Sequence, residues 1–224
     1  MGNFGHHLAG SALAGGACAA GAFYGLHAAV ADAAACGLIC GVSGLIPDID
    51  SPVSRPSEIV ANVAGALAPV FVLQALDSSA FSPSELLVIA FAAYLCARFG
   101  LRTLIARFTV HRGMIHSIPA AVVWGAVVFF AFRRAPGMTQ NIMAAGATLG
   151  FAVHLLIDEM FSLVDISGGK FTPKASSGTA LKFFGPAALP NILTYCLLFA
   201  TLYLCAADAG FIGREYLPVW MIGR

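Results

Sequence analysis

Charge is what this chain has least of. Asp, Glu, Lys and Arg make up 10% of its 224 residues, against 59% hydrophobic residues. A soluble domain carries about a quarter charged residues, because its surface must face water. A chain this poor in charge cannot cover a globule of its own, so its solvent is largely lipid, as a mean hydropathy of +0.85 also indicates. A basic run is missing too, and the formal net charge is +1, so nucleic acid is not an expected partner. Lys and Arg are absent from Met1 to His7, so the positive segment that opens a cleaved export signal is lacking. The stretch Gly15-Gly16-Ala17-Cys18 lacks the large aliphatic residue expected ahead of a lipidated cysteine. Neither cleavage nor lipidation is therefore expected. Six cysteines (Cys18, Cys36, Cys40, Cys96, Cys196 and Cys205) lie inside apolar runs. Cys36 and Cys40 can share a helix face, but no second pair completes a zinc-ribbon spacing, and all six read as small buried hydrophobes.

What the chain does have is long apolar runs. A bilayer core of about 30 Å asks for about 20 apolar residues per helix. Candidate spans are Leu8–Val30, Ala33–Ile46, Ile59–Leu76, Leu86–Ile105, Ile118–Phe132, Ile142–Leu163 and Ala187–Ala206, the second and fifth being short. The expected fold is all-α, a polytopic transmembrane helix bundle of about six to seven spans, with residues 1–224 forming a single integral membrane domain. Gly10, Ala14, Gly21 and Gly25 in the first span, and Gly37 and Gly41 in the second, are small residues that let helix backbones approach closely. Pro47, Pro52 and Pro56, Ser82-Pro83, Ala135-Pro136-Gly137, and Gly168-Gly169 with Pro173 punctuate the turns.

If every span crosses, the N-terminus and the Asp48–Glu58, Arg107–Ser117 and Val164–Pro186 loops share one side. That side carries Arg55, Arg107, Arg112, Lys170, Lys174 and Lys182, with Arg98 and Arg102 near it, against Arg133, Arg134, Arg214 and Arg224 opposite. The excess of positive charge places the first side in the cytoplasm.

Ionisable groups in or beside membrane helices are costly, and each is a functional-site hypothesis. His7 opens the first span. Asp48 and Asp50 follow the second, and His111 and His116 precede the fifth. His154 and Asp158 lie late in the sixth, with Glu159 next to them. His154 and Asp158 are four apart and stack on one helix face. Asp48 and Asp50 are two apart beside a proline, and an extended segment would point both carboxylates the same way. Gly113 allows a turn that brings His111 and His116 together. All of these residues fall at the same membrane face under the seven-span reading. Imidazoles with carboxylates suit zinc, manganese or iron, and carboxylates bridging two ions would make a hydrolytic two-metal site. A single His at a helix end is more often a cap or interface residue, and His6 and His27 are read that way. Four segments delivering His and Asp to one face exceed what that reading explains.

At these motifs the sequence resembles the YdjM family, described as LexA-regulated, inner-membrane metal-dependent hydrolases. The resemblance is carried by His7-Leu8, by Gly44-Leu45-Ile46-Pro47-Asp48-Ile49-Asp50-Ser51-Pro52 and by His111-Arg112-Gly113-Met114-Ile115-His116-Ser117. His154-Leu155-Leu156-Ile157-Asp158 and the Gly178–Phe184 stretch complete it. Ile115 stands where the family usually has Thr, and the segment from Glu159 to Ser177 is longer than the pattern. The resemblance implies a membrane-bound metal-dependent hydrolase, distantly similar to the zinc phospholipase C group. Its chemistry would be phosphoester hydrolysis, with a phospholipid or another membrane-associated phosphoester as the natural substrate.

The expected metal ligands are His7, Asp48, Asp50, His111, His116, His154 and Asp158, holding two or more divalent ions, zinc first and manganese second. Asp50 or Asp158 is placed to bridge ions and take a proton from water. Arg112 could hold a phosphate oxygen, or else anchor a helix end at the headgroups. Glu159 is a candidate general base or support, Ser117 a helix cap, and Lys182 a weaker phosphate contact. The same His/Asp set has two other readings, a metal-ion or proton transporter and a structural protein with a stabilising metal. Transporter sites lie near the bilayer midplane between broken helices, whereas these residues gather at one face.

Overall fold

The structure, a computed structural model, describes residues 4–50, 55–76, 80–100, 103, 114–163 and 181–213. It is all-α, with no strand among the described residues. The helices are α1 (Phe4–Ala20), α2 (Val30–Ser43), α3 (Arg55–Ala75), α4 (Pro83–Leu95), α5 (Ile118–Ala131), α6 (Gly137–Leu163) and α7 (Ala188–Asp208). π turns extend α1 over Gly21–Gly25 and α4 over Cys96–Gly100.

Pro83–Gly100, Gly137–Ser162 and Ala188–Asp208 are long and apolar enough to cross a membrane. Val30–Ser43, Ala61–Val70 and Ile118–Ala131 are shorter apolar helices. At about 1.5 Å per residue, the 14 residues of α2 or of α5 fall short of a 30 Å hydrocarbon core, as their short apolar runs indicate. The long helices wear their hydrophobic side chains outward: Leu87, Val88 and Phe91 on α4, and Leu189, Ile192, Leu193, Leu197 and Phe199 on α7, are exposed. In water that would be an aggregation surface; against lipid it is the expected finish.

The chain forms two compact units, one of Met1–Gly44 with Gly113–Arg224 and the other of Leu45–Arg112. In the first, α2 packs against α1 and α6, α1 reaches α6, and α5 joins α6 to α7. Small residues set the α1–α2 spacing. A Cβ on Gly15 would sit 2.6 Å from the Gly37 carbonyl oxygen, and one on Gly37 would sit 2.7 Å from that of Gly15. Neither backbone can yield, so only glycine permits the contact. Beyond it, Trp124 on α5 donates its indole N–H to Ser43 at the end of α2, at 2.8 Å.

In the second unit α3 packs on α4, and the 3-10 turn Pro47–Asp50 lies beside α3. Ser82 caps α4 through a reciprocal pair: its hydroxyl accepts from the Glu85 N–H at 3.3 Å, and the Glu85 carboxylate accepts from the Ser82 N–H at 2.8 Å. Pro83 follows at the first helical position, where its missing N–H costs nothing.

Two local expectations are corrected. The first span does not run helical to Val30: the chain leaves the helix after Gly25, His27 takes a left-handed φ of 54°, and α2 begins at Val30. Apolar composition continues through this reversal, so composition alone could not mark it. Residues 47–50 are not extended either; they form a 3-10 turn opened by Pro47. Proline resists the interior of a helix but suits its first position, and at three residues per turn, positions two apart do not share a side.

Candidate metal centre

Three parts of the first unit that are remote in sequence deliver their polar groups to one place. His7 comes from the first turn of α1, His116 from the turn ahead of α5, and His154 and Asp158 from the last third of α6. All four are buried, with exposures of 3% for His7, 4% for His116, 0% for His154 and 2% for Asp158.

Asp158 is the centre. Its Oδ1 lies 3.2 Å from His7 Nε2, and its Oδ2 lies 3.7 Å from His154 Nε2 and 4.0 Å from His116 Nε2. The His7 and His154 rings stack with centroids 4.0 Å apart and planes at 18°, while His116 meets His154 edge-on at 5.7 Å.

His154 is oriented from behind. Its Nδ1 sits 2.7 Å from the Gly44 carbonyl oxygen at the end of α2, where it can only donate. That bond requires a proton on Nδ1, so Nε2, which faces the carboxylate, is the ring nitrogen left to act as a ligand, the arrangement usual for a metal-binding imidazole. His116 is held by its neighbour. Ser117 is the N-cap of α5, accepting from the Ala120 N–H at 3.3 Å and donating to the Met114 carbonyl oxygen, so the turn carrying His116 is closed.

The donor set is of a size and kind that could hold a metal ion. Ligand atoms around a tetrahedral zinc with bonds of about 2.0–2.1 Å lie roughly 3.3 Å apart. The donor atoms of His7, His154 and Asp158 all fall within 4.8 Å of one another. Both oxygens of Asp158 are buried, and among the described residues their close polar neighbours are imidazoles, His7 Nε2 nearest at 3.2 Å. A carboxylate so enclosed needs positive charge beside it, from a protonated imidazole or from a bound cation. These buried His and Asp residues could hold a metal ion.

A family model described as YdjM inner membrane protein matches residues 1–209. The chain belongs to the YdjM family. No curated protein and no solved structure matches it. The match runs from the helix bearing His7 to the end of α7, and the family is one of inner membrane proteins, in keeping with the apolar helices.

The other residues singled out in the sequence are distributed as follows. Asp48 is half-buried on the 3-10 turn of the second unit, which Asp50 closes. His111 and Arg112 lie outside the described residues. Glu159 is half-buried, and its carboxylate accepts from the Ser162 hydroxyl at 3.3 Å. The Lys182 carbonyl accepts from the Ile118 N–H at 3.1 Å, tying the segment before α7 to the start of α5. Burial pulls the Lys182 ammonium below the ordinary lysine range. His6 stacks on Phe161 at 4.3 Å, and His27 is exposed at the turn after α1.

One participant escapes sequence reasoning. The Gly44 carbonyl that orients His154 is a backbone group and leaves no side-chain signal.

Proposed function

We propose that this protein is a membrane-bound, metal-dependent hydrolase acting on a phosphoester, with a phospholipid or other membrane-associated substrate, at the cytoplasmic face of the inner membrane. The observation that carries the reading is Asp158: a buried carboxylate faced by the Nε2 atoms of three buried histidines at 3.2–4.0 Å. A carboxylate in a membrane helix needs a partner, and every partner close to this one is of a metal-ligating kind.

His7, His116, His154 and Asp158 would hold an ion, zinc first and manganese second. The proposal that His111, Asp48 and Asp50 add ligands for a second ion rests on the sequence motifs. A bound divalent ion supplies Lewis acidity toward water and a phosphoryl oxygen. The chain's own residues do the rest. Gly44 keeps His154 in one tautomer, and the closed turn at Ser117 holds His116 in place. Glu159 or Asp50 is the proposed proton acceptor, and the Arg112 guanidinium the proposed phosphate contact, since its fork matches two phosphate oxygens.

The test is metal content and turnover of detergent-purified protein, wild type beside Asp158→Asn, on a panel of phosphodiesters and phospholipids with added zinc or manganese. The expected result is bound metal and turnover in the wild type, both lost in the variant. Full metal occupancy in Asp158→Asn would overturn the site. Metal binding without turnover, combined with ion uptake into proteoliposomes, would replace the hydrolase with a transporter.

A further inference from the structure

Away from the histidine cluster, the second unit holds a guanidinium with one nitrogen, Nη1, that no group among the described residues answers. Arg98 sits on the π turn Cys96–Gly100 at the end of a helix long and apolar enough to span the membrane. Its Nη1 is buried and has no hydrogen-bond partner. Its described contact is with an aromatic face: the guanidinium carbon lies 5.3 Å from the centroid of the Phe99 ring. That contact leaves Nη1 unused, and a cation–π contact offsets only part of the desolvation of a half-buried charge.

Tyr94 and Arg98 are four apart on the helix, and both lie over Gly65 of α3. There a Cβ would come within 3.2 Å of Arg98 Cβ and 3.3 Å of the Tyr94 ring. Glycine thus lets the two side chains cross α3 closely, and the π turn shifts the residues after Leu95 out of the regular helical register. The side chains that cross α3 there are a five-donor planar cation and a tyrosine ring. An arginine at the end of an apolar helix with Nη1 buried and unanswered suits an anion, and its fork fits two oxygens of a phosphate better than a monatomic ion.

We propose that Arg98, flanked by Tyr94, binds the phosphate group of a phosphate ester, presented either by an anionic phospholipid headgroup or by a soluble phosphate. This site stands apart from the metal reading and does not depend on it. A bidentate, charge-assisted pair would satisfy Nη1 and neutralise the guanidinium at once.

The experiment places the full chain in nanodiscs of phosphatidylcholine with and without phosphatidylglycerol. Retained lipid is read by native mass spectrometry, and thermal stability is read with added sodium phosphate. Wild type should keep phosphatidylglycerol over phosphatidylcholine, and Arg98→Gln should lose that preference about tenfold. Arg98→Lys should fall between them, because an ammonium keeps the charge without the fork. Arg134→Gln, which changes an exposed arginine on the α5–α6 turn, should leave the preference intact. If phosphate instead stabilises wild type in pure phosphatidylcholine, and does not stabilise Arg98→Gln, the ligand is a soluble phosphate. Should Arg98→Gln fail to fold, the wild type and Arg98→Lys carry the same comparison. Equal retention of both lipids by wild type, with no response to phosphate, would overturn the proposal.

Discussion

Asp158 concentrates the physics of this protein in one side chain. A carboxylate buried beside three imidazoles is stabilised when a cation is present and destabilised when it is not. Asp158→Asn should therefore lower the melting temperature of metal-loaded protein in detergent and raise that of chelator-treated protein. Thermal unfolding of both forms checks the crossover; parallel shifts in the two states would argue against a charge-driven effect. His154 tests the role of the Gly44 carbonyl. His154→Gln should reduce zinc affinity at least about tenfold, measured by competition with a chelator, because it forfeits both the donor atom and its fixed orientation. At the turn after α1, His27 holds a left-handed φ of 54°, which costs a non-glycine residue about 1 kcal/mol. His27→Gly should recover about that much stability in a denaturant or thermal series, since only the backbone penalty is removed.

At the scale of elements, the α1–α2 contact decides whether His7 reaches α6 at all. Because the Gly15 carbonyl oxygen stands where a Gly37 Cβ would go, Gly37→Ala should destabilise the protein by about 1–3 kcal/mol and weaken metal binding with it. The measurement is thermal unfolding alongside zinc content. Small residues at intervals in the first two apolar runs were legible signs of close packing. Which of them touch was not, because helix pairing is set by facing surfaces rather than by composition. The 3-10 turn at Pro47–Asp50 shows a related limit. Proline argues against a helix interior, yet it is well suited to a first turn, and the sequence could not choose between an extended segment and a helical start.

For the whole molecule, the decisive property is its solvent. Helices such as α4 and α7, apolar on nearly every side, can only be stable against lipid or against one another. Within that solvent, the first unit closes its polar groups into a cluster out of contact with the surface. Metal removal should therefore act on the fold as well as on any activity. Dialysis against a chelator is expected to lower the melting temperature, and zinc should restore it, by an amount that grows with free metal concentration. A melting temperature indifferent to chelation would mean that the cluster holds no metal.

Composition, periodicity and spacing by themselves determined that the chain lives in a membrane, that it is helical, and that its few ionisable groups are of metal-binding kinds. These are local properties: hydropathy is summed over a run, and the four-residue interval between His154 and Asp158 already puts them on one helix face. Tertiary structure alone decided that the start of α1, the turn before α5 and the end of α6 converge on Asp158, and that the Gly44 carbonyl orients His154. It also decided that Arg98 Nη1 is left without an acceptor among the described residues. The reason is the same in each case. Segments far apart in the chain meet only through the packing of their backbones, and a carbonyl oxygen or a missing acceptor has no letter in the sequence.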